Sequence, residues 1–361
     1  MRVAAWYVVR FEHEHTSAFA GEQRRDRKAG HPRADDEIVE VGGHWGASEH
    51  GSRANTRWLT VAGPRDKKLT MRRILVTGAN KGIGLAIVEA ILTEHTDTFV
   101  YLGARDAARG AEAAARLSEG ADYASRLEVL PLDVTNDASV AAAATRVRDA
   151  IGEARLYGVV NNAGIGSRSG DFAAVVDTNL LGLHRVCEAF LPLVDPTVGR
   201  IVNVTSASGP IFVSDCSPEM QRFFLDARLP WPALQAFAED CKQMAGDAHA
   251  FAAKGLGDGS AYGLSKACAN TYTMILAREH PNLRVNACTP GFIATDMTRH
   301  YAESEGKSPS DLGMKSPAVG ARAPMLLLFG ALEGNGRYYG SDGKRSPLDR
   351  YRAPGSPELT D

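Results

Sequence analysis

The sequence lacks paired cysteine motifs, a long apolar run and an excess of charge of either sign. None of its five cysteines lies in a C-x-x-C pair, so no zinc or redox motif of that type is indicated. No apolar stretch approaches the ~20 residues that span a bilayer. The net charge is −2, whereas a nucleic-acid-binding protein usually carries a basic patch. We therefore predict no bound metal, no membrane association and no nucleic-acid partner.

The cysteine count also bears on the compartment. An odd number of cysteines without a convincing secretion signal predicts a reducing environment, and therefore a cytoplasmic protein with buried, inert thiols. The composition, with 44% hydrophobic and 23% charged residues, is that of an ordinary globular protein. The length of 361 residues is enough for one large domain or two smaller ones.

Residues 1–70 differ in character from the rest. They hold five of the ten histidines and mixed charge runs, without a sustained helical or strand period, which predicts a disordered or loosely structured segment. An organelle transit peptide is an alternative, although the acidic residues count against it. His13 and His15 could bind a metal, but solvated side chains are the simpler interpretation. Met71 precedes the first strand, so we expect a true or alternative start there and an extension before it.

From Met71 onward, strand-like and helix-like stretches alternate. Helix candidates at 107–118 and 139–151 follow Asp106 and Asn136, which are suitable N-cap residues. The alternation predicts βαβ units, and so an α/β domain over 71–345 with a parallel sheet and helices on both faces. The proline-containing residues 346–361 are predicted to form a tail. The strand candidates are 74–77, 98–102, 127–130, 156–160, 200–204, 283–287 and 337–339.

A glycine-rich stretch joins the first strand to the first helix. Gly78, Gly82 and Gly84 are spaced as Gly-x-x-x-Gly-x-Gly, after an apolar run and before a segment of helical period. Such a turn lets the backbone approach a ligand closely, and the helix N-terminus then favours an anion. The spacing differs from the commonest dinucleotide fingerprint, so an ordinary βα turn is the alternative.

Polar clusters follow later strands. They are Asn-Asn-Ala-Gly at 161–164 and Ser206, while Tyr262 and Lys266 open a helical segment. Residues four apart share a helical face. A nearby ammonium would lower the pKa of the tyrosine, which makes it a better proton donor to a developing alkoxide. This pattern alone is common, and a packed tyrosine beside a solvated lysine is the alternative.

The combination of these motifs, with Asn179 and Pro290-Gly291 in the same order, resembles the classical short-chain dehydrogenase/reductase family over about residues 72–341. The resemblance implies a Rossmann-type, doubly wound fold. It also implies reversible hydride transfer between a nicotinamide and a carbonyl compound or alcohol. Such a cofactor supplies the hydride, while the protein supplies position and electrostatics.

The resemblance assigns roles to individual residues. Tyr262 would be the general acid/base, and Lys266 would lower its pKa and bind the nicotinamide ribose. Ser206 would hold and polarise the substrate carbonyl, and Asn179 would support a proton-relay water. Asp133 would contact the adenine, or else cap a helix. The cofactor-binding residues implied in this way are Gly78, Asn80, Lys81, Gly82, Ile83, Gly84, Arg105, Asp133, Asn161, Ala163, Gly164, Tyr262, Lys266, Pro290, Gly291, Ile293 and Thr295.

Charge after the second strand indicates the form of the cofactor. Arg105 offers a planar fork that suits a phosphate, where an NAD enzyme would place an acidic residue. Asn80 and Lys81 add a donor and a second positive charge. Asp106 is better interpreted as a helix cap. The sequence therefore predicts NADPH in preference to NADH.

Ser206 and Tyr262 are separated by 56 positions, a much longer stretch than in most of the family. Ser217-Pro218-Glu219 and Trp231-Pro232 are helix starts, so we predict a helical insertion over about 210–258. The insertion resembles that of the monomeric carbonyl reductase subgroup, which implies a monomer. Ile211, Phe212 and Trp231 would line the substrate pocket or simply pack.

The leading functional prediction is NADPH-dependent reduction of a ketone, aldehyde or quinone. An NADP-dependent alcohol dehydrogenase of secondary metabolism is the alternative among enzymes, and a non-catalytic NADPH-sensing module is the alternative outside them. A sensor would not need the whole set of Ser206, Tyr262, Lys266 and Asn179. Residues 298–316 are polar and predict a mobile substrate loop, and 318–329 predict a final helix.

Overall fold

The computed structural model describes residues 71–166, 171–332 and 334–360. The predictions made for residues 1–70, including His13 and His15, lie outside the described residues. From Met71 onward the structure confirms the expected alternation of strands and helices.

Seven parallel strands form one sheet in the order β3-β2-β1-β4-β5-β6-β7. The strand order reverses between β1 and β4, and ligands of such sheets bind beyond the carboxyl ends of the strands at this point. The α/β prediction is therefore confirmed. The strands are β1 Arg72–Val76, β2 Thr98–Ala104, β3 Leu127–Pro131, β4 Leu156–Asn161, β5 Arg200–Val204, β6 Arg284–Cys288 and β7 Tyr338–Tyr339.

Helices connect the strands. The predicted caps are present, since Asp106 accepts hydrogen bonds from the backbone N–H of Ala108 and Arg109, and Asn136 accepts one from Ser139. The helices are α1 Gly82–Glu94, α2 Ala107–Leu117, α3 Asp137–Ile151, α4 Phe172–Val176, α5 Gly182–Phe190, α6 Ser208–Ser214, α7 Pro218–Leu225, α8 Trp231–Gln243, α9 Ala248–Ala253, α10 Ala261–Glu279, α11 Arg299–Glu305, α12 Pro317–Gly320 and α13 Arg322–Phe329. A π-helical turn, Asp177–Leu181, joins α4 to α5.

Both faces of the sheet are covered. Leu75 and Val159 belong to the core on one face, and Ile74, Val76 and Val160 belong to the core on the other. All five are fully buried. Alternate residues of a strand point to opposite faces, so strands covered on both sides are apolar throughout rather than alternating.

The insertion contains α6, α7, α8 and α9. Ser217 caps α7 by accepting a hydrogen bond from the backbone N–H of Met220, as its sequence predicts. The apolar stripe of α8 is buried as far as Cys241, whereas Ala245 is exposed because α8 ends at Gln243. The insertion reaches the core, because Trp231 stacks on His184 of α5 with ring centres 3.7 Å apart.

Residues 346–360, which the sequence indicates as a tail, are tied to the loop after β7. Arg352 is 6% exposed, forms an ion pair with Asp342 and donates through Nε to the Ser346 hydroxyl at 2.8 Å. Asp342 also accepts a hydrogen bond from the backbone N–H of Gly355. A buried guanidinium with several partners anchors a segment that its proline content would leave loose.

Candidate active site

The turn after β1 is fastened to the loop after β4. The Thr77 hydroxyl accepts hydrogen bonds from the backbone N–H of Asn162 and of Ala163, both at 3.0 Å. The Asn162 amide donates to the carbonyls of Thr77 and Gly78 at 2.9 and 3.1 Å. These bonds fix the two neighbouring strand ends at the switch point of the sheet.

The glycines of this turn are required by two different structural constraints, backbone conformation and close packing. Gly78 and Gly82 have φ of 61° and 58°, which is the left-handed region that favours glycine. A Cβ on Gly84 would lie 2.5 Å from both the Asn162 amide nitrogen and the Gly78 carbonyl oxygen. The irregular glycine spacing therefore follows from backbone geometry and close packing.

The N-terminus of α1 is open to a ligand. Lys81 occupies the N-cap position without a side-chain cap hydrogen bond, and the first turn contains no acidic residue. The first N–H groups of a helix have no partner within it and carry partial positive charge. This end of α1 therefore suits a phosphate group.

The cationic residues near this turn have different surroundings. Arg105 is exposed and forms no hydrogen bond or ion pair with any residue that the structure describes. Lys81 instead forms an ion pair with Asp296, with Nζ and Oδ2 2.8 Å apart and both side chains more than half exposed. Both residues are predicted from the sequence to bind a phosphate. Of the two, Lys81 has an ion-pair partner in the structure and Arg105 has none among the described residues.

Two predicted cofactor residues have their side chains engaged elsewhere. Asp133 accepts hydrogen bonds from the backbone N–H and the hydroxyl of Thr135, at 3.0 and 2.7 Å. Asn161 is buried and donates to Asn203 and to the Cys187 sulfur, on the core side of β4. The next residue, Asn162, contacts the glycine-rich turn instead. Successive side chains of a strand point to opposite faces, so this difference could have been predicted from the sequence.

The loop after β6 lies against the glycine-rich turn. The methyl of Thr295 lies 3.5 Å from the position that a Cβ would take on Gly82. Ile293 is buried, and both Ile293 and Ile83 contact the position of a Cβ on Gly320. Pro290 and Gly291 form the turn that starts this loop, with φ of 92° at Gly291.

Tyr262 and Lys266 lie in the first turns of α10, as predicted. Ser260 caps this helix by accepting a hydrogen bond from the backbone N–H of Gly263. Lys266 is buried, lies with Nζ 5.6 Å from the centre of the Tyr262 ring and donates to the carbonyl of Val204 at 3.2 Å. The lysine ammonium is thereby held between the end of β5 and the tyrosine.

Ser206 completes this group of donors. It follows β5 and lies near the Tyr262 hydroxyl, whose pKa it lowers. Its hydroxyl also donates to Ser208 at 3.2 Å and accepts from the backbone N–H of Ser208 at 3.1 Å. The structure thus brings together the serine and the tyrosine across the long insertion.

Asn179 lies in the π-helical turn. Its side-chain oxygen accepts from the backbone N–H of Ile165, and its amide donates to the Ile165 carbonyl and to the Ser265 hydroxyl. A Cβ on Gly164 would lie 3.1 Å from this oxygen and 3.5 Å from the Lys266 ammonium. Single π-helical turns often occur at functional sites. The side chains of Asn179 and Lys266 therefore both approach Gly164.

Burial controls the ionisation of both residues on α10. It raises the pKa of Tyr262 above the usual value, against the lowering effect of the nearby Ser206 hydroxyl, while Tyr301 raises it further. It lowers the pKa of Lys266 to about 8. The role of Lys266 in lowering the tyrosine pKa stays a prediction. Desolvation of the phenolate is the largest effect, and the lysine ammonium is directed at Val204.

Two of the three candidate lining residues of the insertion pack in the core, and the third, Trp231, is partly buried against it. Ile211 and Phe212 are buried, and the Phe212 ring lies edge-on to Phe224 with centres 6.0 Å apart. Trp231 stacks on His184, whose pKa burial lowers to about 4, so the imidazole is neutral near pH 7. Ordinary packing accounts for Ile211 and Phe212, whereas Trp231 and His184 also line a surface cavity.

Neither a metal centre nor a membrane span appears in the described part of the chain. No group of three or more His, Cys, Asp or Glu side chains there could hold a metal ion. None of the described helices is long and apolar enough to cross a bilayer.

The similarity of this chain to known proteins agrees with its fold and with the residues of the site. The sequence profile of the short chain dehydrogenase family matches residues 72–215. Carbonyl reductase 3 of Rattus norvegicus, which is named for NADPH, is 33% identical over 273 residues, covering 71% of this chain and 90% of the relative. Carbonyl reductase 1 of Sus scrofa, also named for NADPH, is 34% identical over 273 residues, covering 71% and 86%. The chain belongs to the short-chain dehydrogenase family and is carbonyl reductase-like.

Solved structures show the same architecture. Salutaridine reductase from Papaver somniferum has a TM-score of 0.62 and 25% identity, covering 74% of this chain and 99% of that protein. The NADPH-bound carbonyl reductase from chicken fatty liver has a TM-score of 0.54 and 26% identity, covering 77% and 99%. The predicted Rossmann-type fold is thereby confirmed, and the resemblance to the family that the motifs indicate is confirmed with it.

Proposed function

We propose that the protein reduces a ketone, aldehyde or quinone to the alcohol with NADPH. The observation that carries this proposal is the joining of Ser206, Tyr262 and Lys266 at the carboxyl edge of the sheet, beside the open N-terminus of α1. The NADPH-named relatives support the same activity. An oxidoreductase of this type needs a proton donor next to a dinucleotide site, and the positions of Tyr262 and of the turn after β1 support both roles.

The residues around the turn suit an NADPH molecule. The uncapped N-terminus of α1 would hold a phosphate of the cofactor, and Arg105 would hold the phosphate on its adenosine ribose. Lys266 would donate to the nicotinamide ribose. Its buried ammonium makes one hydrogen bond, to the carbonyl of Val204, among the contacts described, and can make up to three. The remaining predicted cofactor contacts stay part of this proposal.

Reduction leaves negative charge on the carbonyl oxygen of the substrate. NADPH supplies the hydride when bound. The hydroxyls of Ser206 and Tyr262 would stabilise the developing charge, and the Tyr262 O–H would donate its proton to that oxygen. The Lys266 ammonium would stabilise the phenolate that remains. Asn179 would hold the backbone at Ile165 and support proton return to the tyrosine.

The raised pKa of Tyr262 means that the phenol carries its proton in the free protein, which is the form that carbonyl reduction requires. The same group would accept a proton in the reverse reaction, the oxidation of an alcohol.

We also propose that the protein is a monomer in the cytoplasm, with a domain that extends over at least 71–345. The packing of Trp231 on His184 places the insertion over α5, a surface that could otherwise contact a second subunit. All five cysteines are free and buried, which suits a reducing compartment. Light scattering tests the monomer: a mass near 38.6 kDa is expected, and twice that mass contradicts it.

A panel of carbonyl compounds tests the proposed activity. Purified protein is mixed with NADPH and each compound while the NADPH absorbance is followed, and NADPH deuterated at the transferred position identifies hydride transfer to the carbonyl carbon. We expect oxidation of NADPH and a deuterated alcohol with at least one compound. Binding of NADPH without oxidation by any member of the panel would indicate a sensor instead.

A further inference from the structure

The helical insertion lies along α4, the π-helical turn and α5, which follow one another in the chain. Phe251 of α9 packs against Phe172 of α4, with ring centres 5.4 Å apart. Trp231, at the start of α8, stacks on His184 of α5 with ring centres 3.7 Å apart. Lys242, in the last turn of α8, reaches the π-helical turn between them. The insertion therefore contacts all three of these consecutive elements.

The contact between the insertion and the π-helical turn is an ion pair. Lys242 donates through Nζ to Asp177 Oδ1 at 2.8 Å, and the two side chains are 20% and 40% exposed. Glu239, one turn earlier on α8, lies with Oε2 3.0 Å from the same ammonium. Ion pairs contribute more where several charges form a network than where a pair stands alone. The second carboxylate therefore helps to keep the lysine in place at the turn.

Asp177 is the residue at which the π-helical turn begins. Its backbone carbonyl accepts a hydrogen bond from the N–H of Gly182, the spacing that defines a π-helix. Its carboxylate is the group that Lys242 binds. One residue therefore carries both a backbone hydrogen bond of the turn and the link to the insertion.

Asn179 connects this turn to the candidate active site. Its buried side chain is bonded to the backbone of Ile165, at 2.9 and 3.0 Å, and to the Ser265 hydroxyl of α10 at 3.0 Å. Its oxygen and the Lys266 ammonium both lie close to Gly164. A shift of the π-helical turn would therefore move Asn179 relative to Lys266.

We propose that Lys242 is a positioning residue for the reaction. Its ion pair with Asp177 holds the π-helical turn, and through it Asn179, in the geometry that supports proton return to Tyr262. The insertion then supports catalysis in addition to covering α5. This inference rests on the proposed reductase function and assigns the insertion a role in the same site.

The physical reason is the conformation of the turn. The π-helix is a rare conformation, and an unusual backbone conformation persists where the surrounding structure holds it. Lys242 supplies such support from outside the helix, at the residue where the turn begins. The ion pair is partly exposed, so its loss should reduce turnover by a small factor rather than abolish it.

Turnover of a carbonyl compound that the protein reduces, measured in ordinary and in deuterated water, tests the proposal. We expect Lys242→Gln to lower kcat about fivefold and to leave the dissociation constant for NADPH within about twofold. The solvent isotope effect on kcat should increase, because proton return becomes slower. Asp177→Asn removes the pair from the other side and should reproduce these changes. Lys242→Arg keeps a cation that can pair with Asp177 and should restore kcat to within about twofold.

Lys254→Gln is the matched control. Lys254, at the end of α9, pairs with Asp240 of α8 at 3.3 Å, so its ion pair lies within the insertion and does not include the π-helical turn. The variant should change neither kcat nor the solvent isotope effect.

Hydrogen–deuterium exchange of the cofactor-free protein tests the same link without turnover. The backbone amides of Ile165 and Gly182 donate to Asn179 and to Asp177. In Lys242→Gln both amides should exchange faster than in the unchanged protein, because the turn opens more often. Lys254→Gln should leave their exchange unchanged.

The outcomes separate the inference from the function on which it rests. An unchanged kcat, solvent isotope effect or amide exchange in Lys242→Gln overturns the role of Lys242. An equal loss of kcat in Lys254→Gln also overturns it, because general loosening of the insertion would then explain the effect. If the unchanged protein reduces no carbonyl compound, the proposed function is wrong, and amide exchange still decides whether Lys242 holds the turn. NADPH binding by each variant, followed by its fluorescence, shows that the fold is intact.

Discussion

Lys81 and Asp296 form an ion pair that joins the turn after β1 to the loop after β6, with Nζ and Oδ2 2.8 Å apart. The pair holds the pKa of Asp296 below its usual value. Asp296 also lies 3.7 Å from Arg299, at the start of α11. The Asp296 carboxylate therefore pairs with Lys81, which the sequence predicts to bind the phosphorylated adenosine of the cofactor. It also connects Lys81 to the loop after β6, which the sequence predicts to contact the substrate.

Removing this carboxylate should change cofactor affinity. We expect Asp296→Asn to bind NADPH about two- to fivefold more tightly, because Lys81 is released and a negative charge is lost, and exposed ion pairs contribute up to about 1 kcal/mol. NADH affinity should stay unchanged. Titrations of cofactor fluorescence at low and high salt measure this, and the gain should shrink at high salt. Weaker NADPH binding would show that the pair holds the site together instead.

Cofactor preference should depend on Arg105. Arg105→Asp places a carboxylate where we propose that the phosphate on the adenosine ribose binds, so the ratio of kcat/KM for NADPH to that for NADH should fall by about 100-fold. Arg116→Gln removes an exposed arginine from the other end of α2 and serves as the control. An unchanged ratio in Arg105→Asp would remove Arg105 from the proposed site.

Burial of the Lys266 ammonium should lower the free energy of unfolding of the cofactor-free protein. Its folded pKa of about 8 lies below the usual 10.5, so the folded state binds the proton less well than the unfolded state. The cost, about 3 kcal/mol from 1.36 kcal/mol per pKa unit, is fully present below pH 8 and disappears between pH 8 and 10.5. Lys266→Met should therefore be about 2 kcal/mol more stable at pH 7, after loss of the bond to Val204.

This difference is measured by urea unfolding at pH 7 and pH 10. The Lys266→Met variant is compared with the wild-type protein, both without cofactor. The advantage of the variant should be present at pH 7 and smaller at pH 10, while NADPH-dependent turnover is lost at both. A variant less stable at pH 7 than the unchanged protein would contradict the proposed cost of burying this ammonium.

Much of the architecture could be predicted from local patterns. Seven apolar stretches with helical segments between them specify a parallel sheet, and Asp106, Asn136 and Ser217 mark helix starts because their side chains cap backbone N–H groups. The motif residues Ser206 and Tyr262 are brought together because β5 and α10 are neighbours in this fold.

The contacts between distant segments could not be predicted in the same way. Nothing local to Lys81 indicates its pairing with Asp296, and nothing local to Thr77 indicates that its hydroxyl accepts hydrogen bonds from the loop after β4. Burial around α10 is also a property of the whole fold. For that reason the raised pKa of Tyr262 in the free protein could not be predicted from the spacing of Tyr262 and Lys266.

The most direct test of the account is turnover and NADPH binding in Tyr262→Phe. The change removes one hydroxyl and leaves the ring, so the fold and the cofactor site should persist. The loss of a positioned general acid typically costs about 10²- to 10⁴-fold in rate. We predict that kcat for carbonyl reduction falls by this amount while the dissociation constant for NADPH stays within about twofold. Retention of turnover in Tyr262→Phe would contradict the account.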